Sequence, residues 1–129
     1  GQKAAIATDV GKITDEIKNN IIGCELVMLE SNHDIGMLQN GAYPYALKRR
    51  ILSEVGHLSN IACADMTAEL VLKGTSRIFL GHLSQDNNFP GLAYQTNLSA
   101  ITEKTGATVG TDFLMEVNKV ENNMGIIRF

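Results

Sequence analysis

The stretch "CELVMLES" (24–31) decides the fold. Leu26, Val27, Met28 and Leu29 form an unbroken apolar run. The run is strand-length, too short for a typical helix, and it closes on a carboxylate and a hydroxyl residue. It reads as a strongly buried strand. On its N-terminal side, "ITDEIKNNII" (13–22) places Ile13, Ile17 and Ile21 at helical spacing, with Thr14 and Asp15 as capping residues. Before that, "KAAIATD" (3–9) is a short apolar run ending in a carboxylate, again a strand.

On the C-terminal side, "NHDIGMLQNG" (32–41) predicts a turn or short helix ended by Gly41. "YPYALKRRILSEVG" (43–56) predicts a helix, with Pro44 in its first turn and Gly56 at its end. "LSNIACADMTAELVLKG" (58–74) predicts another, capped by Ser59 or Asn60 and stopped by Gly74. "SRIFLGH" (76–82) is a strand, and "GLAYQTNLSAITEKTG" (91–106) is a helix. In "DFLMEVNKV" (112–120), Phe113, Met115 and Val117 alternate with polar neighbours, apart from Leu114; this predicts a strand exposed on one face. "GIIRF" (125–129) is a candidate partner for it. Strands and helices in alternation give an α/β fold.

The chain has 129 residues, enough for one domain with one core. Its 11 basic and 14 acidic residues leave a net charge of −3, which disfavours nucleic-acid binding by the surface as a whole. One short basic run, Lys48-Arg49-Arg50, leaves room for a local contact with phosphates. A solvated helix face is the plainer reading of that run. No apolar run reaches the roughly 20 residues that span a bilayer, and no signal peptide is evident. The two cysteines, Cys24 and Cys63, lie in apolar stretches and read as free buried thiols of a reducing cytoplasm, with a disulfide left open. The chain opens almost at once on strand residues, as a fragment of something longer would.

In α/β folds, functional residues gather where strands end. That rule selects Asp9, the cluster Glu30-Ser31-Asn32-His33-Asp34, and His82. Two of the three histidines sit in the same tetrapeptide, "GHLS", at 56–59 and 81–84. The contexts differ: His57 enters a helix and His82 leaves a strand. Their flanks share nothing, so an internal repeat is rejected. Each residue alone also fits a turn, a cap or a solvated loop. Together, a carboxylate and imidazoles at several strand ends are the residue types that hold divalent metal ions.

The ordered series "ATDVG" (7–11), "LESNHD" (29–34), "YPYALKRRILSEVGHLSN" (43–60) and "FLGHLSQDNN" (79–88) resembles the C-terminal half of metallo-β-lactamase-fold hydrolases. Its motifs are similar above all to those of the bacterial YycJ (WalJ) group, with ribonuclease Z related in style. The resemblance runs from about Lys3 to about Pro90. It implies half of an αββα sandwich: one mixed sheet, helices on one face, and an apolar inner face.

The resemblance also implies roles. Asp9 looks like the aspartate that bridges two metals, Zn or Mn, and His82 like the last histidine ligand. His57 looks like the histidine that serves the scissile phosphate. Glu30 resembles a strand-end glutamate that orients a catalytic imidazole. Asn32, His33, Asp34, Ser59 and Arg50 are expected in the substrate pocket or in support of it.

The family's HxHxDH signature is absent, and three histidines cannot supply the usual ligand set. The implied function is therefore that of a C-terminal segment, residues 1–129, of a metal-dependent hydrolase. The implied substrate is a phosphodiester, with nucleic acid the expected class. Alone, the segment is expected to be inactive. Its partners would be the N-terminal half of the parent, or a second copy through the inner sheet face. Two other readings stay open: a non-catalytic self-associating fragment, and a segment of a thioester or lactam hydrolase of the same fold.

Overall fold

The computed structural model describes residues 3–8, 11–53 and 56–118. Four strands form one sheet in the order β1 (Ala4–Ala7), β2 (Leu26–Glu30), β3 (Arg77–Gly81) and β4 (Leu114–Val117). All three neighbouring pairs are parallel. This corrects the expected mixed sheet for the described strands. Parallel neighbours need a crossover between them, and helices supply each one. α1 (Asp15–Ile21) links β1 to β2. α2 (Ile35–Asn40), α3 (Tyr45–Leu52) and α4 (Asn60–Leu72) link β2 to β3, and α5 (Pro90–Thr105) links β3 to β4. The "GIIRF" segment lies outside the described residues.

Side chains alternate across a strand, so the register sorts the sheet into two faces. Ala5, Val27, Ile78 and Met115 form one row, and Ala7, Leu29, Leu80 and Val117 form the next. These rows share a core with Ile17 and Ile21 of α1, Cys63, Met66 and Leu70 of α4, and Leu98 and Ile101 of α5. Helices α1, α4 and α5 therefore pack on one face. The other face carries Ala4, Leu26, Arg77 and Leu114 in one row and Ile6, Met28, Phe79 and Glu116 in the next. It is mostly apolar: Met28 and Phe79 are buried, while Ile6 and Leu114 are 64% and 53% exposed. Leu114, the apolar exception in the alternation of its strand, lies on the face away from the helices.

The caps follow the sequence closely. The Thr14 hydroxyl accepts from the Ile17 amide, Asp34 from Met37 and Ser59 from Ala62, each satisfying a donor that a helix start leaves unpaired. Gly106 ends α5 in the left-handed region (φ +71°), where a side chain would be strained. One boundary differs from expectation. α3 stops at Leu52 rather than running to Gly56, because Ser53 turns extended and its hydroxyl donates to the Arg50 carbonyl (2.6 Å). Both cysteines are buried and free. Burial pushes the Cys63 thiol up to about 12, so it stays protonated.

Candidate active site

The site forms at the carboxyl end of the sheet, where β2 and β3 finish side by side with Glu30 opposite Gly81. Beyond Glu30 the chain continues extended between the two GHLS stretches. On one side, the Ser31 amide donates to the Gly81 carbonyl (2.9 Å) and the Ser84 amide to the Asn32 carbonyl (2.7 Å). On the other, the Asn32 amide donates to the Leu58 carbonyl (2.9 Å) and the Asn60 amide to the His33 carbonyl (2.8 Å). The two tetrapeptides thus flank one segment.

They also use their residues alike. Leu58 and Leu83 are both buried. The Ser59 and Ser84 hydroxyls both accept from the amide three residues on, at Ala62 and Asn87. Both histidines meet Glu30. Its carboxylate is fully buried, with Oε2 3.2 Å from His57 Nδ1 and Oε1 3.3 Å from His82 Nδ1. It also accepts from the Leu58 amide at 2.9 Å. The imidazole side chains are 38% and 26% exposed, so a buried anion holds two rings that open to solvent. With its hydrogen on Nδ1, each ring can donate to this carboxylate and carry its lone pair on Nε2.

Backbone geometry explains how each ring arrives. His82 sits at φ +55°, in the left-handed region that non-glycine residues rarely occupy. This bend turns the chain out of β3 at the point where its ring meets Glu30. The Asn32 side chain donates to the His82 carbonyl (2.8 Å) and thereby ties the bend to β2. Ahead of His57, Gly56 presses against the end of α3. Its amide donates to the Ser53 carbonyl (3.0 Å), and a Cβ built on it would run into the carbonyl oxygens of Arg50 and Ile51. The His57 amide then donates to the Ile51 carbonyl (3.1 Å).

Behind the carboxylate lies a buried polar network that sequence reading missed. Asn60 and Asn88 exchange amide hydrogen bonds, both at 2.9 Å. Asn88 also donates to the Ser31 and Asn32 carbonyls, and the Ser31 hydroxyl donates to Asn60 Oδ1 (2.6 Å). Asn97 donates to the Ser31 hydroxyl (3.3 Å) and accepts from Thr67 (2.9 Å). One signal was available: Asn97 lies four residues from both Ala93 and Ile101, on the buried stripe of α5. A polar residue on an apolar stripe needs a partner inside.

The remaining expected residues are spread out. His33 lies beneath the surface, 1% exposed, with Nδ1 3.3 Å from Asn32 Oδ1 and, among the described residues, no hydrogen-bond partner at Nε2. Burial, reinforced by the charge of His57 and opposed by Asp34, lowers its pKa from 6.5 to about 4. It is therefore neutral near pH 7. Asp34 and Ser59 are helix caps, and Arg50 is exposed in the last turn of α3. Asp9 lies outside the described residues. Among the described residues, no three His, Cys, Asp or Glu side chains are grouped as ligands for a metal ion.

No protein-family profile matches the chain. It is 43% identical over 112 residues to the exodeoxyribonuclease YycJ of Bacillus anthracis, covering 87% of this chain and 42% of that protein. It is 36% identical over 108 residues to the exodeoxyribonuclease WalJ of Streptococcus pneumoniae (strain D39), covering 84% and 40%. The chain thus spans about two fifths of the length of these curated relatives. The matching stretch takes in most of the chain, and over it the chain is a homologue of the YycJ/WalJ exodeoxyribonucleases.

Proposed function

We propose that the chain is the C-terminal segment of a metal-dependent enzyme that hydrolyses phosphodiester bonds in DNA. The observation that carries this reading is the buried Glu30 carboxylate held between His57 and His82. Glu30 acts as a positioning residue. It fixes the tautomer of both rings and stabilises either one when it becomes an imidazolium. His57, the more exposed, serves the scissile phosphate: it neutralises developing charge or donates a proton from Nε2.

His82 is assigned to a divalent metal centre together with Asp9. An imidazole backed by a carboxylate is the donor chemistry that suits such a centre. Three histidines in the whole sequence are too few for the ligand set that the resemblance implies, so the chain is assigned only part of the centre. Zn or Mn bound there would supply an activated water and offset charge on the phosphate. A thioester or lactam substrate is disfavoured, because the relatives are named as acting on DNA. Ile6 and Leu114, exposed on the sheet face opposite the helices, keep self-association as a second reading. Sedimentation that stays monomeric at high concentration would remove it.

The test is hydrolysis of end-labelled DNA by the protein of the complete reading frame, with Mn²⁺ or Zn²⁺. EDTA should abolish it. His57→Ala and His82→Ala should each lower kcat by about 10²- to 10⁴-fold. Undiminished activity in both variants would overturn the reading. Residues 1–129 alone should be inactive.

A further inference from the structure

Helix α3 (Tyr45–Leu52) lies on the surface but hides nothing: none of its eight residues is buried. A surface helix of a folded domain normally turns an apolar stripe to the core. Here Tyr45 is 74% exposed, and Leu47 and Leu52 are also exposed. Between them run Lys48, Arg49 and Arg50, with no acidic residue in the helix. Among the described residues neither arginine pairs with a carboxylate.

The Arg49 guanidinium lies over the Tyr45 ring, 5.8 Å from its centroid. Tyr45, Lys48, Arg49, Leu52 and Gln39 line an open cavity of about 310 Å³. A chain of net charge −3 has concentrated three consecutive cations here, beside an aromatic ring. The helix is also joined to the candidate site through the His57 amide, which donates to the Ile51 carbonyl.

We infer that α3 is the docking surface for an unpaired DNA strand next to the bond to be cut: Arg49 and Arg50 contact its phosphates, and Tyr45 stacks against a base. This rests on the DNA-hydrolase reading and names the surface that would hold the substrate. The choice of occupant follows from charge. An apolar partner surface packed on Tyr45, Leu47 and Leu52 would bury three cations without a counter-charge, since the helix has no carboxylate of its own. A polyanion supplies the matching charge at every step, and its bases supply faces for the ring.

Binding is measured on the 129-residue chain by anisotropy of a fluorescein-labelled dT20 oligonucleotide, in EDTA, across a salt series. The double variant Arg49→Ala, Arg50→Ala should weaken binding and reduce the log–log salt slope by roughly 0.7 per lost phosphate contact. Tyr45→Ala should weaken dT20 binding about tenfold while sparing duplex DNA. Circular dichroism and thermal melting check that the variants remain folded. No binding at low salt, binding unchanged in all variants, or equal competition by poly-glutamate would overturn the assignment. The readout is independent of catalysis. Binding through α3 without hydrolysis by the complete protein removes the nuclease reading alone. Hydrolysis with α3-independent binding removes this one alone.

Discussion

His82 Nδ1 lies 3.3 Å from Glu30 Oε1, at the ends of two adjacent parallel strands, while Oε2 of the same carboxylate faces His57. One buried carboxylate thus meets two imidazoles, one at each oxygen. Substitutions around it should separate orientation from stability.

Glu30→Gln preserves shape and an acceptor for the Leu58 amide but removes the charge. Folding should change little. DNA hydrolysis should fall by about 10²-fold or more, because neither ring keeps a fixed tautomer or a stabilised imidazolium. Glu30→Ala also leaves the buried Leu58 amide without its partner, and should lower stability by roughly 2–4 kcal/mol. Urea denaturation and initial rates check the pair. Equal rates in wild type and Glu30→Gln would exclude an orienting role.

Gly56→Ala tests the approach of the chain to α3. The added methyl group meets two backbone carbonyls, which cannot swing aside as a side chain would. Relief requires the His57 segment to move. We expect a loss of roughly 1–3 kcal/mol, with a larger fractional loss of activity than of folded protein. A melting temperature within a degree of wild type would show that the segment adapts freely.

His33 should make stability depend on pH. Its pKa is about 4 in the fold and near 6.5 when the chain is unfolded. Between those values the unfolded chain binds a proton that the native one does not. Stability is therefore highest above pH 6.5 and declines as pH falls towards 4, by at most about 1.4 kcal/mol per unit. His33→Asn should flatten the profile in that window. Urea midpoints at pH 7 and pH 5 provide the comparison. A wild type and variant that fall in parallel would show that His33 is not held neutral.

Asn60 and Asn88 should behave as a coupled pair. Each single change to Ala leaves buried polar groups on Asn88, Asn60 or Ser31 without a partner, for a loss of roughly 1–3 kcal/mol. The double variant should lose less than the sum, with a coupling of about 0.5–3 kcal/mol. Additive losses in a double-mutant cycle would mean that the reciprocal amide pair contributes nothing of its own.

Much of this arrangement is legible in the sequence, and for local reasons. "CELVMLES" announces its strand because an apolar run of that length needs burial on both faces. Thr14, Asp34, Ser59 and Gly106 mark helix ends because capping involves only neighbours along the chain. Strand ends pointed to Glu30 and His82, and the resemblance added His57. Direction was not legible: the parallel course of the four strands depends on how the helices cross over.

Only the tertiary structure decided that Glu30 serves both histidines, that the two GHLS stretches flank the same segment and use their leucine and serine alike, and that four asparagine and serine side chains close a network behind the carboxylate. Periodicity reports which way a side chain faces along its own element. It carries no record of which distant residue it will meet. The sequence by itself determined the elements, their caps and the residue types at the sheet's edge. The register of β2 against β3, and the left-handed turn at His82, decided that those residues share one carboxylate.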